Sequence, residues 1–176
     1  MTAPAQIYLT PGSLWCGPGE AVVSTVLGSC ISVCLFDRHR RGAGMNHYVL
    51  PSSQGRENSL RYADVALDRM LARLRQLGCE PEDLRAKVFG GAAVLPYGTG
   101  DTIGTKNTRT AMEWLRVHAI PVTARRTGGT DGLLIRFFTG SGEVLVRRVV
   151  SGIEISVDGP APSSNSHQNA DGGAAS

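Results

Sequence analysis

A cysteine and a histidine in this chain have the side chains and the surroundings to cooperate in nucleophilic chemistry. Cys30 lies in VLGSCISVCLF, and His47 lies in GAGMNHYVLP. A free thiol titrates near 8.5, so only a few per cent is thiolate at neutral pH, and a nucleophilic cysteine needs a base beside it. Of the four histidines, His167 is near the C-terminus, His39 is in the polar turn DRHRRG, and His118 ends a helical stretch. Only His47 sits in an apolar, strand-like run that can pair with the Cys30 strand through DRHRRGAG. Such a hairpin brings the two side chains to one end of a sheet.

Around Cys30 the pattern is unusual for a strand. Val26-Leu27 leads in and Ile31, Val33 and Leu35 follow, but Gly28-Ser29 interrupts them. Glycine weakens a strand interior and marks a bulge or a close backbone approach. Gly44 precedes His47, and VFGGA places Gly90 and Gly91 at the end of another strand. These glycines fit either ordinary turns or a backbone that must come close to a substrate or another chain. Taken singly, Cys30 and His47 also fit packing roles, since free cysteine is among the most buried residue types. Cys30 and Cys34 share strand parity, but Cys-x-x-x-Cys in a strand is poor zinc geometry and no second pair completes it, so no metal is expected. Nor can they form a disulfide, being four residues apart at roughly 3.3 Å of rise each. Cys16, Cys34 and Cys79 read as packing residues.

The elements that must position this pair are short. The apolar stripe Ala63, Leu67, Met70, Leu74, Leu77 predicts a helix from about Ser59 to Leu77, capped by Asn58 or Ser59 and ended by Gly78. Ala111, Trp114, Leu115 and His118 predict a second helix over Lys106 to His118. Strands are expected at 22–27, 30–36, 44–50, 86–89, 121–125, 133–139, 144–150 and 153–157. Strands before, between and after only two helices imply an α+β fold, with mixed β-sheets in a sandwich-like core flanked by the helices.

The chain has 176 residues, 41% of them hydrophobic and 19% charged, enough for one domain with a substantial core. That domain is expected over 13–158, after a loosely held segment over 1–12. Residues 159–176, GPAPSSNSHQNADGGAAS, are too poor in apolar side chains to pack and are expected to be a disordered tail. A net charge of +3 with 6% aromatics lacks the dense basic stripe of a nucleic-acid binder. No apolar run is long enough to span a bilayer and the N-terminus lacks signal-peptide features, so a cytoplasmic protein with reduced thiols is expected.

Five blocks in order, LGSCISVCLFD, GAGMNHYVLP, RYADVALDRMLARLRQLG, AKVFGGA and IGTKN, make residues 20 to 150 resemble the CheD family of chemoreceptor glutamine deamidases. The resemblance implies a cofactor-free amidase that converts glutamines of methyl-accepting chemotaxis receptors to glutamate. It makes Cys30 the nucleophile and His47 the general base. The family's third member is a threonine upstream of the cysteine; here Ser24 stands six residues before Cys30 with Thr25 beside it, and Ser24 is preferred because it shares the parity of Cys30. Backbone N–H groups near Gly28 and Ser29 are expected to receive the oxyanion. Asn46, Gly90 and Gly91 are expected along the substrate groove, Asn46 being rejected as the orienting group because it points away from His47 on a strand. LLIRFF after TGGTDG departs from relatives that often carry an arginine there, which reads as groove variation. CheD-like proteins are also associated with the phosphatase CheC, so a non-catalytic regulator of a CheC-like phosphatase is the competing reading, though it has no use for the Cys30/His47 pair.

Overall fold

The computed structural model describes residues 3–93, 100–150 and 153–155. Their elements run β1 (Ala5–Tyr8), β2 (Ser13–Gly17), β3 (Ala21–Leu27), β4 (Ile31–Asp37), β5 (Ala43–His47), α1 (Ala63–Gln76), β6 (Leu84–Gly90), α2 (Ile103–Val117), β7 (Val122–Thr127), β8 (Gly132–Phe138), β9 (Glu143–Val150) and β10 (Ile153–Ile155). The strands form two five-stranded sheets, β1-β3-β8-β9-β10 and β2-β5-β4-β6-β7. Both are mixed: β1 runs parallel to β3 and β6 parallel to β7, and the other pairs are antiparallel. The expected α+β class with a sheet core flanked by two helices is the observed one.

Alternation along β3 decides the inner layer. Ala21, Val23 and Leu27 join Leu133, Ile135 and Phe137 of β8 and Val144 and Val146 of β9 in one apolar cluster. Cys34, Ala43, Met45 and Phe89 of the second sheet close the same cluster, so it fills the space between the sheets. Ser24 and Val26 have the opposite parity, and Val26 is 42% exposed on the outer face. The second sheet has no wet face: Ile31, Val33, Leu35, Ala86 and Val88 pack under Leu67, Met70 and Leu74 of α1 and Ala111 and Leu115 of α2. That double burial is why the β4 sequence is a continuous apolar run rather than an alternating one. Each fully buried leucine or methionine there contributes about 1.5–3 kcal/mol.

Several expected boundaries shift. Helix α1 begins at Ala63, with Tyr62 as its N-cap and no side-chain cap bond, instead of near Ser59. The Arg61 carbonyl accepts from Val49 N–H (2.8 Å) and Leu50 N–H (3.0 Å), tying the turn before α1 to the chain after β5 and setting an extended Tyr62 beside Leu50. Helix α2 begins earlier than expected, because the Thr102 hydroxyl accepts from Thr105 N–H at 3.1 Å and caps it. Of residues 1–12, expected to be loosely held, the described residues 3–12 supply β1 and the buried Leu9. Strand β2 was not expected either. The expected tail over 159–176 and the end of the last strand lie outside the described residues.

Candidate active site

Cys30 closes a three-residue bend, Gly28 to Cys30, that carries the chain from β3 in one sheet to β4 in the other. Each carbonyl of the bend is held from outside. Gly28 O accepts from Ala92 N–H (2.9 Å) and Cys30 O from Gly91 N–H (2.9 Å). Ser29 O accepts from the Asn107 amide at 3.0 Å. With the carbonyls turned into the fold, the N–H groups of Ser29 and Cys30 donate to no other residue among those described. The glycines after β6 serve this packing. Gly90 has φ +106°, and a Cβ there would stand 2.2 Å from Cys30 O; one on Gly91 would meet Thr108 Oγ1 at 2.4 Å. Their close approach is to the Cys30 bend and α2, and both are buried, although Gly91 also lines a surface pocket with Thr105, Thr108, Arg109, Thr127 and Gly128.

His47 is the last residue of β5, next to Tyr48, whose N–H and C=O both bond Ile31 at 3.1 Å. That bridge and the Cys34–Met45 pairing fix one register, which sets Ser32 opposite His47 and Cys30 two pairs further on. Residues diagonal across an antiparallel pair share a face and lie about 7–8 Å apart at Cα, within reach of longer side chains. Cys30 packs against the inter-sheet cluster, the same face as Met45 and therefore as His47. The expected hairpin thus brings the cysteine and the histidine to one side of the sheet.

The third group comes from the opposite sheet. Thr25 Oγ1 lies 2.7 Å from His47 Nδ1 and donates to Leu9 O at 2.7 Å. A hydroxyl has one hydrogen. With that hydrogen on Leu9 O, the oxygen accepts toward the imidazole, so Nδ1 carries the ring proton and Nε2 keeps its lone pair. Nε2 is buried and has no partner among the described residues. Ser24, the residue preferred from parity, instead donates to Ile7 O at 3.3 Å on the outer face. The parity carried through Cys30 fails because the bend passes from one sheet to the other, so alternation in β3 does not continue into β4. Asn46 is likewise committed to the fold: fully buried, its Oδ1 accepts from Val33 N–H at 2.9 Å, and it lines no surface groove.

Burial raises the Cys30 thiol above its ordinary value, opposed by its own backbone N–H and the Arg61 guanidinium. Burial lowers His47 below the usual imidazole value, opposed by the Leu9 carbonyl. Both shifts favour a neutral pair at rest, a thiol beside an unprotonated imidazole. Burial pushes Cys16 and Cys34 up to about 12 and Cys79 up to about 11. All four thiols are free, and Cys34 and Cys79 are sealed in the core.

Sequence reasoning passed over Asn107, although IGTKN ends on it. It is fully buried in the second turn of α2, and its amide also donates to Val49 O at 2.8 Å. A buried asparagine on an otherwise apolar helix face is the signal that marks it, since such an amide must find partners.

The family model described as CheD chemotactic sensory transduction matches residues 49–148. A protein of Rhodospirillum rubrum named "Probable chemoreceptor glutamine deamidase CheD" is 62% identical over 163 residues, 92% of this chain and 93% of its own. One from Geobacter sulfurreducens, named as CheD 2 of the same kind, is 37% identical over 82% of this chain and 90% of its own. A third, from Sulfurimonas denitrificans, is 34% identical over 81% and 93%. The family model spans more than half of the chain and the relatives cover four fifths or more of it, so the chain belongs to the CheD family.

Proposed function

We propose that this protein hydrolyses the side-chain amide of glutamines on chemotaxis receptors, with Cys30 as nucleophile, His47 as general base and acid, and Thr25 orienting the imidazole. The observation that carries this reading is the Thr25–His47 bond, which leaves a buried Nε2 lone pair on the Cys30 face. His47 Nε2 takes the thiol proton as Cys30 Sγ bonds to the amide carbon. The oxygen of the tetrahedral intermediate becomes anionic and takes hydrogen bonds from the N–H groups of Ser29 and Cys30, each such donor typically supplying about a hundred- to a thousandfold in rate. The imidazolium then protonates the nitrogen, the C–N bond breaks and ammonia leaves a thioester. Water gives a proton to the same Nε2 and its oxygen attacks the thioester. The C–S bond breaks, glutamate forms and the thiol is restored.

The relatives' names supply the substrate class, and the chain's own residues supply the chemistry. Each turnover exchanges a neutral amide for a negative charge on the receptor, which changes how its helices repel one another. Among the described residues no helix is long and apolar enough to cross a membrane, which accords with action on receptors from the cytoplasm. The test is mass spectrometry of a glutamine-bearing receptor cytoplasmic fragment incubated with the protein. The amide-to-acid mass gain is expected with the wild type and is absent with Cys30→Ala and His47→Ala. No gain on any cognate receptor would overturn the enzyme reading and leave binding to a CheC-like phosphatase as the account to pursue.

A further inference from the structure

Asn107 is outside the reacting group, yet it touches both segments that deliver it. Its side-chain amide donates to Ser29 O (3.0 Å), in the bend that presents Cys30, and to Val49 O (2.8 Å), two residues after His47. Its own backbone carbonyl accepts from the Tyr48 hydroxyl at 2.6 Å. One residue of α2 thus bonds the nucleophile's bend and, twice, the chain leaving the histidine. The orientation of the amide is not ambiguous: both side-chain neighbours are carbonyls, so the NH2 group must face them. Asn107 Oδ1 is buried without a partner among the described residues. A buried unpaired acceptor is a cost that packing alone does not require, since an apolar residue would fill the same space without it.

We propose that Asn107 is a positioning residue that sets the separation and orientation of Cys30 relative to His47, and with them the outward aim of the Ser29 and Cys30 N–H groups. It rests on the deamidase reading for its effect on turnover, but its effect on the thiol can be read without a substrate. Ser29 and Val49 lie where β4 and β5 cease to pair, Cys30 standing opposite Val49 in the register and Ser29 one position beyond. Beyond the Ile31–Tyr48 bridge no backbone bond links Ser29 and Val49 among the described residues, and the Asn107 amide joins their two carbonyls. A two-armed donor is what bridges two acceptors. Aspartate has nearly the same shape but, when ionised, offers no hydrogen to either carbonyl.

The experiment compares Asn107→Ala and Asn107→Asp with Leu115→Ala, which removes a buried side chain from the same helix without touching the bend. Three quantities are measured on the full chain: the urea midpoint, the pH profile of iodoacetamide labelling at the Cys30 peptide by mass spectrometry, and kcat and KM on a receptor fragment. Both Asn107 variants are expected to lose about tenfold or more in kcat with KM little changed, as a small misplacement of reacting groups does. Their Cys30 labelling profile moves to higher pH, because the thiol loses its alignment with the imidazole. Leu115→Ala lowers the urea midpoint and leaves the labelling profile where it was. Asn107 variants that remain folded with the wild-type labelling profile would overturn the positioning role. A wild type that deamidates nothing would overturn the deamidase reading, while the labelling profiles would still decide the role of Asn107.

Discussion

Thr25 and Ser24 are neighbours with the same functional group, and the structure sends them to opposite faces of one strand. Thr25→Val keeps the shape, removes the acceptor for His47 Nδ1–H, and frees the imidazole to turn or change tautomer. It should cost roughly tenfold or more in kcat, inside the about 10²- to 10⁴-fold that a positioned base supplies. Ser24→Ala, on the outer face, should leave the rate within about twofold. Steady-state rates of the two variants on one receptor fragment check this, and equal losses would return the assignment to Ser24. The lowered His47 value makes a second prediction, on pH. Between that value and the ordinary 6.5 or so, the unfolded chain binds the proton that folded His47 refuses, so its contribution to stability is full above about pH 6.5 and is lost as the pH falls through the lowered value. The base stays competent over the same window, so the acid limb of kcat/KM should have its midpoint below about 6.5. A midpoint clearly above that value would mean an imidazolium stabilised by a thiolate rather than a neutral pair. At this scale the placing of Cys30 and His47 on facing strands was legible in the sequence, while their roles came from the family resemblance, since each taken singly also fits packing. The Thr25 partnership was not, because it depends on a change of sheet within the Gly28–Cys30 bend, which residue parity cannot register.

The bend itself is made by its neighbours more than by its own sequence. Gly90 takes φ +106° under the Cys30 carbonyl, whereas Gly78, at φ +81° after α1, has nothing within 4 Å of where a Cβ would stand. Both should resist alanine, but for different reasons. Gly78→Ala meets only the left-handed backbone and should cost about 1–2 kcal/mol. Gly90→Ala must also displace the Cys30 backbone, adding the about 1–3 kcal/mol of overpacking, and should abolish deamidation even where the chain still folds. Urea midpoints and rates for the pair test this; similar losses of stability with activity kept in both would show that the Cys30 carbonyl has room to move. The sequence marked Gly90 and Gly91 as places of close approach, and that part was physical. What approaches Gly90 is the Cys30 bend of the same chain, and one glycine-rich turn reads the same in either case. The helices were legible in their apolar stripes and less so at their starts, since the Thr102 cap is one hydroxyl among several and Arg61 is held in a turn by partners eleven and twelve residues earlier.

Across the whole molecule, the site exists only while the two sheets stay together. Thr25 reaches His47 across the space that Val23, Phe137, Met45 and Phe89 fill, so the inter-sheet core is also the support of the Thr25–His47 contact and of the proposed chemistry. Phe137→Ala, in the middle of that layer, should cost about 3–5 kcal/mol by the usual reckoning for a buried aromatic. Its further consequence is specific to this architecture: where the variant remains folded, the gap between the sheets closes unevenly and the Thr25–His47 bond lengthens. Leu74→Ala, in the separate layer between α1 and the second sheet, should cost about 2–5 kcal/mol without moving the two sheets relative to each other. The two variants, compared at a urea concentration where both are folded, should therefore differ in kcat although they are similar in stability. Equal kcat values would mean that β3 and β5 hold their spacing without the inter-sheet core, and the support would then have to come from the Gly28–Cys30 bend and from Leu9, which are the other links between Thr25 and the second sheet.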